Sequence, residues 1–301
     1  MPELPEVETV RRGLVEALQD RHLAKVVTRR DDLRVPFSPR FASRLTGRRI
    51  VAVERRAKYI LLETDGPDTL VIHLGMSGRL TIHGLNSVKM PGHLVRKISR
   101  TKYARAPHEY DSQEYGPHDH VILETETGTR IVYSDHRRFG LMILVETCAL
   151  GGHPLFKYLG PEPLGRAFSS AHLSETLRNK RTPIKSALLD QRVVAGLGNI
   201  YVCEALHRAK ISPRRIASNI VGLRAQRLVP AIKEILREAI AAGGSSLRDY
   251  AHTDGELGYF QHKFAVYNRQ GEICPDNDCG GIIKRLVQAG RSSWYCPNCQ
   301  R

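Results

Sequence analysis

Apolar residues at Val7, Val10, Leu14, Ala17 and Leu18 recur at the three-and-four spacing of one helical face, which predicts a helix starting near Glu3. Beyond it the period changes to two. Segments in which β-branched and apolar positions alternate with polar ones run over Lys25–Thr28, Ile50–Val53, Tyr59–Glu63, Leu70–Leu74, Arg79–His83, His120–Glu124, Arg130–Ser134 and Leu141–Val145. Turn formers such as Asp65-Gly66-Pro67 and Thr127-Gly128 separate several of them, and an antiparallel sandwich or flattened barrel follows. Residues 86–117 interrupt this rhythm. They are rich in Lys, Arg, His, Pro and Tyr without periodicity and read as a long insertion, with an extra phosphate contact as one use for it.

Residues 151–165 look like a connector, after which the pattern becomes helical over Ser170–Asn179, Pro183–Asp190, Ile200–Ala209 and Val221–Ala242. The change of class near residue 160 argues for two domains with a cleft between them. The expected division is a β-sandwich over 1–150, a linker over 151–166, a helical domain over 167–262 and a cysteine-bearing ribbon over 263–301. Thr182 is the expected N-cap of a helix whose first residue is Pro183. The glycine-punctuated run from Val193 to Gly198 leads to another helix, for which Asn199 is the expected cap. Two helices joined by such a turn make a helix-turn-helix-like unit, and the exposed amides at the second N-terminus suit a phosphate.

Composition sharpens this picture. With 301 residues, of which 41% are hydrophobic, the chain is long enough for two cored domains. Its formal net charge is +15, and twelve Lys or Arg face three acidic residues between Arg21 and Lys58. A polyanionic partner is the simplest cause, nucleic acid first and an anionic membrane surface second. No apolar run is long enough to span a bilayer and the N-terminus is acidic, so a cytoplasmic, nucleoid-associated protein is expected.

Of the six cysteines, four lie in the last 28 residues, a distribution that favours a metal over a disulfide framework. Cys274 and Cys279 form one close pair and Cys296 and Cys299 another, both among turn formers, as a tetrahedral zinc site with an intervening hairpin requires. No coordination position is left open, so the zinc is expected to be structural. Arg291 falls at the expected hairpin tip. The isolated Cys148 and Cys203 read as core residues.

The N-terminus carries the remaining chemistry. If Met1 is removed, the chain begins with the secondary amine of Pro2, beside the Glu3 carboxylate and at the positive end of a helix. Such an amine titrates near pH 8, can attack a masked aldehyde carbon, and forms an iminium that acts as an electron sink for elimination. The plainer reading of Pro2 is a residue that starts a helix.

Several blocks then add up to a family resemblance: Pro2-Glu3-Leu4-Pro5-Glu6-Val7-Glu8-Thr9, Arg55-Arg56-Ala57-Lys58-Tyr59, His73-Leu74-Gly75-Met76-Ser77-Gly78, Asp135-His136-Arg137-Arg138-Phe139-Gly140, Leu159-Gly160-Pro161-Glu162-Pro163-Leu164, Gly198-Asn199-Ile200-Tyr201 and the terminal cysteine ribbon. They occur in order over nearly the whole chain, which thereby resembles the formamidopyrimidine-DNA glycosylases, bifunctional base-excision enzymes. The resemblance implies an α+β multidomain fold: an N-terminal β-sandwich with a leading helix, a helix-two-turn-helix domain and a C-terminal zinc ribbon. It implies a monomer that binds duplex DNA containing oxidised bases, with one structural zinc and no membrane.

What the resemblance implies for the site can be stated by residue. Pro2 attacks C1′ of the damaged nucleotide, Glu3 moves protons during ring opening and elimination, and Lys58 contacts the lesion and its phosphate. Arg291 completes this catalytic group, and Glu6 is the supporting carboxylate. Met76, His120, Arg137, Arg138, Phe139, Asn199 and Arg291 are the expected DNA contacts, with Arg137 facing the orphan cytosine and Phe139 wedging the stack. Residues 243–259 correspond to the family's lesion-capping loop. The expected substrates are 8-oxoguanine and formamidopyrimidines. An endonuclease VIII-type enzyme for oxidised pyrimidines and a catalytically silent DNA-binding zinc protein are the rival readings. Two departures stand out: the first cysteine pair encloses four residues where many relatives have two, and residues 86–117 form an insertion.

Overall fold

The computed structural model describes residues 2–84, 115–245, 253 and 258–301. The insertion at 86–117 and the loop at 243–259 therefore lie largely outside the described residues. Helix α1 (Leu4–Leu18) starts where the apolar spacing places it. Pro5 sits in its first turn, where a missing N–H leaves no hydrogen bond unmade, and the Glu6 carboxylate accepts the Glu3 amide at 2.8 Å. Its stripe of Val7, Val10, Leu14 and Leu18 is buried.

There follow β1 (Leu23–Thr28), α2 (Phe41–Leu45), β2 (Ile50–Arg56), β3 (Tyr59–Thr64), β4 (Asp68–His73), β5 (Arg79–His83), β6 (Asp119–Thr125), β7 (Arg130–Ser134) and β8 (Leu141–Glu146). Every expected strand is present. The strands form two four-stranded antiparallel sheets, ordered β2-β3-β4-β8 and β1-β6-β7-β5. Leu62, Ile72, Leu80, Leu123, Tyr133 and Met142 join the α1 stripe in one core. At about 1.5–3 kcal/mol for each large side chain taken out of water, this core outweighs any single polar contact in the sandwich. Helix α2 is too short for periodicity to reveal. Cys148, expected in the core, is instead exposed on a 3-10 turn over Thr147–Gly152 after the last strand has left the sheet.

A second core belongs to α3 (Ser170–Leu177), α4 (Ile184–Leu189), α5 (Asn199–Arg208) and α6 (Leu223–Ala241). Two expected caps are corrected. Pro183, not Thr182, is the N-cap of α4, because Pro183 stays extended in a bridge with Ile216 and the Thr182 carbonyl accepts the Ala217 amide at 2.9 Å. Gly198, not Asn199, is the N-cap of α5, because the amides that a cap would bind are taken by a carboxylate from another part of the chain, as described below.

The last element is a hairpin of β9 (Lys284–Gln288) and β10 (Arg291–Tyr295). Its two-residue tip, Ala289 and Gly290, has φ of 46° and 73°, the twist that a tight hairpin needs. Cys203, Val266, Cys274, Ile283 and Cys296 form its small core. Glu204 on α5 fastens the segment that leads into it, accepting the amides of Ala265, Val266 and Tyr267 at 2.8–3.0 Å. Among the described residues, no helix is long and apolar enough to cross a membrane.

Candidate active site

The carboxylate that caps α5 is that of Glu3. Its Oε1 accepts the Ile200 amide at 2.9 Å and its Oε2 the Tyr201 amide at 3.4 Å, across nearly 200 residues of sequence. The Leu4 amide meets the Gly196 carbonyl at 3.1 Å, and Gly196 itself has φ of +86°. These contacts lock the start of the chain, Pro2 included, against the glycine turn of the helical domain. Glu3 is 3% exposed. Burial raises its pKa to about 6, against the opposing pull of the Lys58 ammonium and the α5 amides. A carboxyl that titrates there can both donate and accept a proton near neutrality.

Glu6 lies behind it. One oxygen holds the Glu3 amide, while the other accepts the Tyr201 hydroxyl and the Ser245 amide, the latter at 2.8 Å. The Tyr201 hydroxyl also lies 3.0 Å from Ser245 Oγ. Glu6 therefore joins α1, α5 and the first residues of the expected capping loop.

Lys58 enters from the β2–β3 turn and is 7% exposed. Burial lowers its pKa, Glu3 opposes that shift, and Arg291 adds to it. The turn is held in shape from outside. Ala57 has φ of +54°, and its amide is held at 2.6 Å by Glu162, whose carboxylate also takes Arg55 Nη1 at 2.8 Å and Arg56 Nη1 at 2.9 Å. Arg55 in turn pairs with Glu8 of α1 at 3.0 Å. Beside Lys58, the half-buried His73 has its pKa lowered to about 4, by desolvation first and by Lys58 next. It is a neutral imidazole whose Nδ1 accepts the Gly75 amide at 3.0 Å.

On the far side, the Ser292 carbonyl accepts Asn199 Nδ2 at 3.0 Å and Lys185 Nζ at 2.7 Å, and Lys185 also reaches Ser293 Oγ at 2.7 Å. The buried Lys185 thus ties α4 to the hairpin and sets the exposed Arg291, the residue next to Ser292, toward Lys58.

The expected wedge residues are brought together on one surface. Met76 is 36% and Phe139 47% exposed, and the Arg137 guanidinium lies 4.8 Å from the centre of the Phe139 ring. Their loop is organised by Asp135, which is fully buried and accepts Ser77 Oγ at 2.5 Å, the Gly140 amide at 2.8 Å and the Tyr133 hydroxyl at 3.2 Å. Gly75 is required here, because a Cβ on it would lie 2.4 Å from the Phe139 carbonyl carbon. Arg138 is exposed at φ of +57°. His120 departs from its expected place among the surface contacts. It is buried under the loop, with Nε2 2.9 Å from the Asp135 carbonyl, because its strand side chain points into the sandwich.

In the ribbon, Cys274 and Cys299 Sγ lie 3.9 Å apart and Cys279 and Cys296 Sγ 3.4 Å, with all four sulfurs within 4.8 Å of one another. Zinc–sulfur bonds of about 2.3 Å at tetrahedral angles put sulfurs about 3.8 Å apart, so this set fits one ion and completes its coordination. Gly281 makes room, since a Cβ there would lie 2.7 Å from Cys296 Sγ.

Sequence reading passed over Tyr201, His73, Asp135, Glu162 and Lys185. The first four stand inside the blocks that carried the resemblance, so a search of those blocks for polar residues without an assigned role would have found them. Lys185 had no such signal, because a lysine in a helix reads as solvated.

A leading helix on a sandwich, a helical unit, a cysteine ribbon and a buried acid beside a buried lysine together define a zinc-ribbon DNA glycosylase. Residues 1–142 match the formamidopyrimidine-DNA glycosylase N-terminal domain, 159–251 its H2TH domain, and 271–301 the zinc finger found in FPG and IleRS. A formamidopyrimidine-DNA glycosylase of Phenylobacterium zucineum is 55% identical over 301 residues and one of Cereibacter sphaeroides 53%, with both chains fully covered in each case. Among solved structures, the MutM (FPG) protein of Thermus thermophilus aligns with a TM-score of 0.80 at 38% identity, over 99% of this chain and 98% of that one. A Lactococcus lactis FPG mutant in complex with a Fapy-dG containing DNA aligns with a TM-score of 0.82 at 33% identity, over the whole of both chains. The chain belongs to the formamidopyrimidine-DNA glycosylase family.

Proposed function

We propose that this glycosylase excises 8-oxoguanine and formamidopyrimidines from duplex DNA and then cleaves the strand at the resulting site. The observation that carries the reading is the convergence of Pro2, Glu3 and Lys58 at the N-terminus of α5, in a setting that brings the pKa of the acid up and that of the lysine down. After Met1 is removed, the Pro2 nitrogen attacks C1′ and the bond to the base breaks. Glu3 gives a proton to the sugar ring oxygen, the ring opens, and an iminium joins Pro2 to C1′. Loss of the C2′ proton expels the 3′ phosphate, and a second elimination expels the 5′ phosphate. Lys58 and Arg291 hold the phosphates around the lesion, and Asn199 sits where the α5 turn meets the backbone. Met76, Arg137 and Phe139 fill the space that the everted nucleotide leaves.

The chain works in this reading as a monomer, with residues 1–150, 167–262 and 263–301 as its domains and 151–166 as the linker. DNA lies across the cleft between the first two, and the protein acts in the cytoplasm on the nucleoid. The Lactococcus lactis and MutM structures in complex with DNA that contains Fapy-dG, an abasic site or carbocyclic 8-oxo-G support the class of substrate.

Borohydride added during incubation with an 8-oxoguanine duplex tests the proposal. It should trap a covalent adduct whose peptide begins at Pro2, and Pro2→Gly should sharply reduce it. Active protein that retains Met1 on every molecule would refute the mechanism. Faster excision of thymine glycol than of 8-oxoguanine opposite cytosine would redirect the substrate class to oxidised pyrimidines.

A further inference from the structure

The widened first knuckle of the ribbon has a counterpart on α5. Asp276, one of the four residues between Cys274 and Cys279, pairs through Oδ2 with Lys210 Nζ, immediately beyond the end of that helix. His207, in the last turn of α5, has Nε2 3.5 Å from Cys274 Sγ and 3.7 Å from Asp276 Oδ2, and it is 4% exposed. The Asp276 carboxylate itself lies 3.9 Å from Cys274 Sγ. A ring nitrogen that faces a metal-bound thiolate and a carboxylate at these distances carries its hydrogen, because a lone pair there would face two anions.

We propose that His207 is an outer-sphere partner of the zinc site, its Nε2–H donating to the Cys274 thiolate, with the Lys210–Asp276 pair clasping the widened knuckle against α5. The four cysteines remain the only ligands. Hydrogen bonds to a coordinating group orient it and tune its electron donation, and their loss commonly weakens metal affinity by about 10–100-fold. The two residues added to the knuckle thereby acquire a purpose: they carry Asp276 far enough to reach Lys210 while Cys274 stays in the sulfur set. His207, Lys210 and Asp276 act as positioning residues, fixing the ribbon that carries Arg291 to the helix that Glu3 caps. This inference does not depend on which lesion the enzyme excises.

The full-length protein substituted with cobalt or cadmium tests it. In the cadmium form of the unaltered protein, a scalar coupling should run from the His207 Nε2–H proton to the metal nucleus across the hydrogen bond. In the cobalt form, His207→Phe should move the sulfur-to-cobalt charge-transfer bands to longer wavelength without lowering their intensity, because a thiolate that loses a donor gives up charge more readily. The same variant of the zinc protein should lose its metal to a chelator about tenfold faster or more. His207→Gln, which restores an N–H donor, should recover band position and release rate. Asp276→Asn should speed release with the bands unmoved. No proton–metal coupling in the unaltered protein would overturn the proposal, as would unshifted bands in His207→Phe. A charge-transfer intensity that corresponds to three thiolates would overturn it differently, by making His207 a ligand.

Discussion

Glu3 lies so close to Gly198 that a Cβ built on the glycine would sit 2.2 Å from the Glu3 carboxyl carbon. The backbone of Gly198, at φ of −136°, is open to any residue, so the requirement for glycine comes from the carboxylate alone. Gly198→Ala should push Glu3 off the Ile200 and Tyr201 amides. Overpacking of this kind costs about 1–3 kcal/mol. Single-turnover excision of 8-oxoguanine should fall at least tenfold while zinc content stays at one ion per chain.

The raised pKa of Glu3 fixes a pH dependence. In the proposed mechanism the glycosylase step uses Glu3 protonated and the Pro2 amine neutral. With Glu3 at about 6 and a free α-amine near 8, the reactive fraction rises up to pH 6, stays level between the two values and falls above the second. In Glu3→Gln the limb at 6 should vanish, so that the small residual rate keeps rising toward pH 8. A pH–rate profile of kcat/KM on both proteins checks this. A limb at 6 that persists in the variant would assign it to another group.

Such a profile was foreseeable only in part from the chain. The apolar periods placed α1, all eight strands of the sandwich and the helices of the second domain, because each buries one face and writes that face into its sequence. The cysteine spacing placed the metal. What sequence could not show was Glu3 as the cap of a helix that begins near residue 199, since that contact exists only after two domains close on each other. For the same reason Asn199 read as a cap, although its side chain serves the ribbon. Lys185 read as a surface cation, and Cys148 was assigned to a core whose last buried residue, Val145, precedes the turn that carries it.

Tyr201→Phe removes one donor from the buried Glu6 carboxylate and keeps the Ser245 amide on the same oxygen. Hydrogen bonds to charged groups are worth about 1.5–3 kcal/mol, and the helical-domain transition in urea should shift by that order. Cleavage of the lesion duplex should weaken together with stability, because Glu6 also holds the Glu3 amide.

Chelation of the zinc should weaken DNA binding before it melts the sandwich. The ribbon has its own small core of Cys203, Val266, Cys274, Ile283 and Cys296, separate from the one under the two sheets. Fluorescence anisotropy on a lesion duplex should report loss of affinity with the strand signal in circular dichroism intact. Collapse of both signals together would contradict this separation.

The net charge of +15 predicts a steep salt response. Affinity for undamaged duplex should fall with a log–log slope that corresponds to roughly four to eight phosphates, and Arg291→Ala should lower that slope by about one. A slope unchanged in the variant would take Arg291 off the phosphate backbone.

Helix α5 is gripped at both ends, by the Glu3 carboxylate on its first amides and by the cysteine knuckle against its last turn. Its ten residues span about 15 Å as a stiff rod. In the proposed mechanism, a bend imposed on the duplex at the ribbon is delivered to C1′ through a strut rather than through a chain of loops, so that Pro2 and Arg291 keep a common frame as the DNA is forced out of line.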